Sequence, residues 1–101
     1  MNTEEKIQAF ADLLSKHTQE AYERRGSLWE GAERNWLVHI RPGRKYTKVD
    51  LGDSGKYMVE NATEKIYGIK GYGTIHRGHY YGTLDAIQEW QWGDYTAHKT
   101  A

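Results

Sequence analysis

The chain has 101 residues, with 14 Lys/Arg balanced by 14 Asp/Glu and no cysteine. That length allows one domain, 1–101, and without cysteine neither a disulfide framework nor a thiolate zinc site can form. Zero net charge argues against a duplex-DNA partner, which wants a large unopposed basic surface. Only 38% of the residues are hydrophobic, but four Trp and eight Tyr are present, and such rings bury enough area apiece to support a modest core. No apolar run reaches the roughly 20 residues of a membrane span, and Met1 to Lys6 is polar and acidic, unlike a signal peptide. The expectation is a cytoplasmic protein with no membrane partner, in which the sequon Asn61-Ala62-Thr63 is incidental.

Asn2 followed by Glu5 reads as an N-cap and its capping-box partner. The predicted helix runs from Thr3 to Arg25 and stops at Gly26. Ile7, Phe10, Ala11, Leu14, Thr18 and Ala21 recur at three- and four-residue spacing and define its buried face. Residues 26–35 form a polar connection anchored at Trp29. Trp36 to Arg41 alternates as a strand should, with Trp36, Val38 and Ile40 on one side. Pro42-Gly43 turns the chain into a second strand, Lys45 to Leu51. Gly52 to Gly55 turns it again into Lys56 to Glu60, and Asn61 to Glu64 leads into Lys65 to Lys70. Short strands joined by short turns make an antiparallel meander. The fold class is therefore α+β, an N-terminal amphipathic helix packed on an antiparallel sheet of about four strands. Phe10 and Leu14 are expected to meet Trp36, Val38, Ile40 and Val49 in the core. Beyond Lys70, glycines, rings and imidazoles interrupt the periodicity, and only Thr74 to Arg77 reads as a short strand. Thr83 or Asp85 then caps a short turn through Ala86, Ile87 and Trp90, and the polar tail after Tyr95 is expected to fray.

Charge is unevenly spread. Residues 41–77 carry eight Lys/Arg against four Asp/Glu, while residues 1–40 carry five against seven. This basic zone runs into the glycine-rich stretch, so Arg44, Lys48 and Lys56 are expected near Tyr72, His76, Arg77, His79 and Tyr80. Rings stack on bases and cations meet phosphates, while glycine lets backbone N–H groups approach an anion. The eight residues form a candidate site for a small anionic or nucleotide ligand. The bland alternative is that the rings pack the sheet and the cations are its solvated side. Trp90-Gln91-Trp92 is an edge packed on the core or, if exposed, a patch for a host protein or for a homo-oligomer. Two histidines three apart, His76 and His79, can share a metal on a helix, but their glycine neighbours disfavour a helix and no further ligand is singled out. No metal or other cofactor is expected. Ser15, Ser27 and Ser54 lack a nucleophile-elbow context, and the glycines match neither a P-loop nor a dinucleotide fingerprint. The reading favours a binding protein over an enzyme.

The segments GRKYTKV (43–49), SGKYMVE (54–60) and IYGIKGYGTIHRGHYYGTLD (66–85) resemble a pattern in small uncharacterised accessory proteins of tailed bacteriophages. Where the pattern has a glycine in the turn after Thr63, this chain has Glu64. The resemblance implies an accessory protein in the cytoplasm of an infected bacterium, one that modulates host machinery or host defence. It assigns no role to particular residues.

Overall fold

The computed structural model describes residues 1–26 and 29–100. Helix α1 spans Thr3–Arg24. The Asn2 side chain accepts from the Glu5 N–H at 2.9 Å and the Glu5 carboxylate accepts from the Asn2 N–H at 3.1 Å, so the start was legible in the cap. Gly26, at φ 66°, carries the left-handed turn that lets the chain leave the helix. Ile7, Phe10, Ala11, Leu14, Thr18 and Ala21 are its buried residues, the stripe the spacing predicts. Of the expected connection 26–35, residues 27 and 28 lie outside the described ones, and 32–35 form a 3-10 turn. No described helix is long and apolar enough to cross a membrane.

Strands β1 (Val38–Arg41), β2 (Tyr46–Leu51), β3 (Ser54–Glu60), β4 (Lys65–Gly71) and β5 (Thr74–Thr83) form one antiparallel meander in chain order. The glycine-rich stretch is thus not irregular chain. It is a ten-residue fifth strand, disguised in the sequence because its pairing with β4 slips repeatedly. Tyr80 pairs with Tyr67 but His76 pairs with Gly68, so residues 77–79 have no partners on β4 and the side-chain alternation is lost. A 3-10 segment, Leu84–Glu89, leads to β6 (Trp90–Gln91), which pairs with β7 (His98–Lys99). The tail expected to fray is therefore held: Ala97 is buried, and the Thr100 N–H donates to the Glu89 carbonyl at 2.9 Å.

The core lies between α1 and one face of the sheet. Phe10 and Leu14 from the helix meet Val49, Tyr57, Val59, Ile66 and Tyr81 from the strands, with Leu84, Ile87 and Trp92 closing it from the C-terminal side. Val38 and Ile40 pack at its margin. Trp36 does not join this cluster; it is half-buried, with its ring 5.7 Å from that of Tyr22. Trp92 is 1% exposed, and its indole N–H donates to the Ile87 carbonyl at 3.0 Å. Its backbone N–H donates to His17 Nδ1 at 3.0 Å, and a Cβ on the next residue, Gly93, would strike the His17 carbonyl. Helix and tail are therefore in contact down to the backbone.

The turn between β3 and β4 places a non-glycine residue in an unusual backbone conformation. Glu64 has φ 63°, the left-handed region that glycine occupies without cost and other residues at about 1–2 kcal/mol. Its carboxylate accepts from Thr3 Oγ1 at 2.8 Å and from Lys6 Nζ at 3.0 Å. Glutamate at this position exchanges an unstrained turn for a tie to the first turn of α1.

Two outcomes follow from this packing. Leu14→Ala should destabilise the protein by about 2–5 kcal/mol, the range for truncating a buried leucine, and an unchanged denaturant midpoint would show that α1 is not docked as described. Burial lowers the pKa of His17 below the ordinary imidazole value, and its Nδ1 is needed as an acceptor. The unfolded chain then takes up the proton first, so stability falls as pH drops through about 6.5. Melting curves from pH 8 to pH 5 should show that fall, and His17→Asn, which keeps an acceptor without a titrating ring, should flatten it.

Candidate functional site

The sheet has two unlike faces, and the candidate residues divide between them. On the face away from α1, Asp50 is the centre. Its side chain is only 8% exposed, and Oδ2 accepts from Arg41 Nε at 2.9 Å and from the Tyr72 hydroxyl at 3.0 Å. Desolvation, and then this hydrogen bond, raise the pKa of the Tyr72 hydroxyl. Lys48 Nζ stands 5.0 Å from the centroid of the Tyr72 ring, close enough for a cation–π contact. Tyr80 is on the same face beside Tyr67, their ring centroids 5.7 Å apart. Asp50 is clamped by an arginine through Oδ2, while its buried Oδ1 has no partner among the described residues, and the Lys48 ammonium lies on a ring. This arrangement pins the β4–β5 turn across the sheet.

A different environment forms where β3, β4 and β5 meet the segment 93–97. In the β2–β3 pairing Val49 faces Tyr57 and Asp50 faces Gly55, so Lys56 is the extra residue of a bulge. Its Nζ donates to the Tyr95 carbonyl at 2.8 Å and lies 5.1 Å from the Tyr95 ring centroid. Among the described residues no carboxylate is within ion-pair distance of Lys56, and partial burial lowers its pKa. Across the sheet, Gly68 leaves room for His79: a Cβ there would lie 2.9 Å from the His79 Cβ and 3.4 Å from Tyr81 Cε2. The His76 and His79 rings stack at 4.0 Å with only 9° between planes, and His76 Nδ1 accepts from the Gly78 N–H at 3.1 Å. Parallel stacked imidazoles do not converge on one point as metal ligands must. Among the described residues no group of three or more His, Cys, Asp or Glu is placed to hold a metal ion.

Lys56 and His79 both line a cleft of about 410 Å³, with Tyr57, Ile69, Tyr81 and Tyr95 among its walls and no Asp or Glu in the lining. Tyr57 is 2% exposed, and its hydroxyl has no hydrogen-bond partner among the described residues. Burial, with Tyr81 adding to it, pushes this hydroxyl far above the ordinary phenol pKa, so it remains protonated. The eight candidates thus do not share one surface. Lys56 and His79 reach the cleft with His76 stacked behind. Lys48, Tyr72 and Tyr80 lie on the opposite face, and Arg44 and Arg77 are exposed outside the cleft lining. The ring walls Tyr57 and Tyr95 were not singled out by the sequence. No short-range signal marks them, because the bulge at Lys56 and the return of the tail bring them together. A second cleft, of about 640 Å³, lies between the first turns of α1 and the β1–β2 turn, lined by Ile7, Ile40, Pro42 and Glu4 among others. Its Asn61 and Thr47 side chains are already bonded within the fold.

No protein-family model, curated protein or solved structure matches the chain. Functional argument therefore rests on the geometry of these residues. Gly68→Ala tests that geometry directly. The added methyl should force His79 aside, shift the ring-current-sensitive imidazole resonances of His76 and His79, and cost about 1–3 kcal/mol of stability, as overpacking does. Unchanged imidazole resonances would show that the stack does not depend on the missing side chain.

Proposed function

We propose that this protein binds a small anionic ligand of about mononucleotide size in the cleft between the β3–β5 strands and the 93–97 segment. One observation carries the reading: among the described residues, an ammonium without a carboxylate partner and an imidazole line a ring-walled cleft that contains no acidic residue. Lys56 uses one of its three donors on the Tyr95 carbonyl and has others to offer an anion. His79 adds a donor, and the exposed Tyr95 ring offers flat apolar surface to a base or similar ring, worth about 1–3 kcal/mol when stacked. In the phage setting that the sequence resemblance implies, a nucleotide signal of host defence has the required chemistry. The protein then acts by holding the ligand, not by converting it.

The test is calorimetric titration of the full chain at low salt with mononucleotides, dinucleotides and cyclic nucleotides. Lys56→Ala should weaken the best ligand more than tenfold, or about 1.4 kcal/mol, whereas Arg44→Ala and Lys48→Ala should leave affinity unchanged. Absence of binding below millimolar across the panel would reject the reading. The uncovered sheet face, where Tyr72 and Tyr80 are 59% and 45% exposed, favours a second reading, an aromatic surface that docks on a host protein. Recovery of one stoichiometric partner from bacterial lysate, lost on Tyr80→Ala, would support it.

A further inference from the structure

Positive charge in the cleft is sparse, and that limits what its ligand can carry. Among the described residues Lys56 is the single Lys or Arg in the lining. Cations of the neighbouring strands are engaged or lie elsewhere: Arg41 holds Asp50, Lys48 lies over the Tyr72 ring, and Arg44 and Arg77 are exposed outside the lining. His79 contributes a hydrogen-bond donor. The remaining wall is largely aromatic and aliphatic, from Leu51, Tyr57, Ile69 and Tyr81.

The first anionic group to enter finds an ammonium that has already lost part of its water and has no counter-charge, so the pair forms at a reduced desolvation cost. A second anionic group must leave water for a wall with no cation to meet it, which is the costly case of an unpaired buried charge. Asp50 is held on the other face by Arg41 and Tyr72, and among the described residues no carboxylate lines the cleft. Resting on the reading of this cleft as an anion site, we propose that it selects ligands bearing one negative charge on a flat ring body, an aromatic carboxylate or a phosphodiester. It discriminates against phosphomonoesters and polyphosphates of the same body. Cleft size agrees: about 410 Å³ lies near the lower end of ligand pockets and accommodates one base and sugar, or one fused ring system.

The experiment is a charge ladder on the full chain by calorimetry, at low salt and pH 8, where an ordinary imidazole is neutral. The probes are adenosine 3′,5′-cyclic monophosphate, adenosine 5′-monophosphate, adenosine 5′-triphosphate and 1-naphthoate. Either singly charged probe, or both, should bind at least about tenfold more tightly than the triphosphate, with the 5′-monophosphate between them. Lys56→Gln should abolish the order by removing the one cation. Binding by naphthoate alone assigns the site to carboxylates, and binding by the cyclic monophosphate alone assigns it to phosphodiesters; both agree with the proposal. Affinity that is level or rises with phosphate number leaves the anion site standing and overturns the single-charge rule. If none of the four binds, the anion site and the rule fall together.

Discussion

Four rings from four distant parts of the chain, Phe10, Tyr57, Tyr81 and Trp92, meet edge to face at the centre of the molecule. Tyr57 is the hub, with its ring centroid 5.6 Å from Phe10, 5.4 Å from Tyr81 and 5.4 Å from Trp92. Phe10 and Trp92 are closer still, at 4.7 Å. Edge-to-face pairs add about 0.5–1.5 kcal/mol each beyond the area they bury, and here they join the helix, two strands and the tail in one contact set. The aliphatic residues Ile7, Leu14, Val49, Val59, Ile66, Leu84 and Ile87 pack around these rings and complete the cover. The backbone contacts of His17 with Trp92 and Gly93 seat the tail against the helix, and the packing of the rings requires that closeness.

This cluster also decides where a ligand can go. Tyr57 and Tyr81 face inward to the rings yet border the cleft, while Lys56 is displaced from the ladder by its bulge and reaches the same opening. A regular β3 would have paired Lys56 across the sheet as it pairs Tyr57. The outer face follows another logic, because its charges were placed by alternation and neutralise each other around Asp50. Near neighbours in sequence such as Tyr72 and His76 therefore serve different faces.

Much of the fold was legible because local chemistry and tertiary packing agree in it. The Asn2–Glu5 box starts α1, its apolar stripe is the buried face, and alternation with Pro/Gly turns marks β1 to β4. The fifth strand was legible only over Thr74 to Arg77, because alternation is a property of regular pairing and β5 pairs with shifts at three places. The tail escaped because its anchors are single residues, Trp92 and Ala97, in otherwise polar chain. Trp36 reads as an inward strand residue, yet it ends a 3-10 turn and packs on Tyr22. As for the site, residue chemistry pointed to Lys56 and His79, but which cations share a cleft depends on strand register. Register belongs to two segments at once and cannot be read from either.

The position of Trp92 has a consequence for how the protein is made. A chain emerging from the ribosome offers α1 first and then the meander, in which each strand can pair with the one just released. The helix has no complete surface to dock on until Trp92 appears, after both α1 and all five strands. At roughly 5–20 residues per second, the nascent chain spends seconds as a paired sheet with one apolar face uncovered. Closure then waits for Trp92 and Ala97, which follow the helix and all five strands in the chain. Any translational stall in that stretch would prolong the interval in which the exposed face is open to chaperones or to another copy of itself.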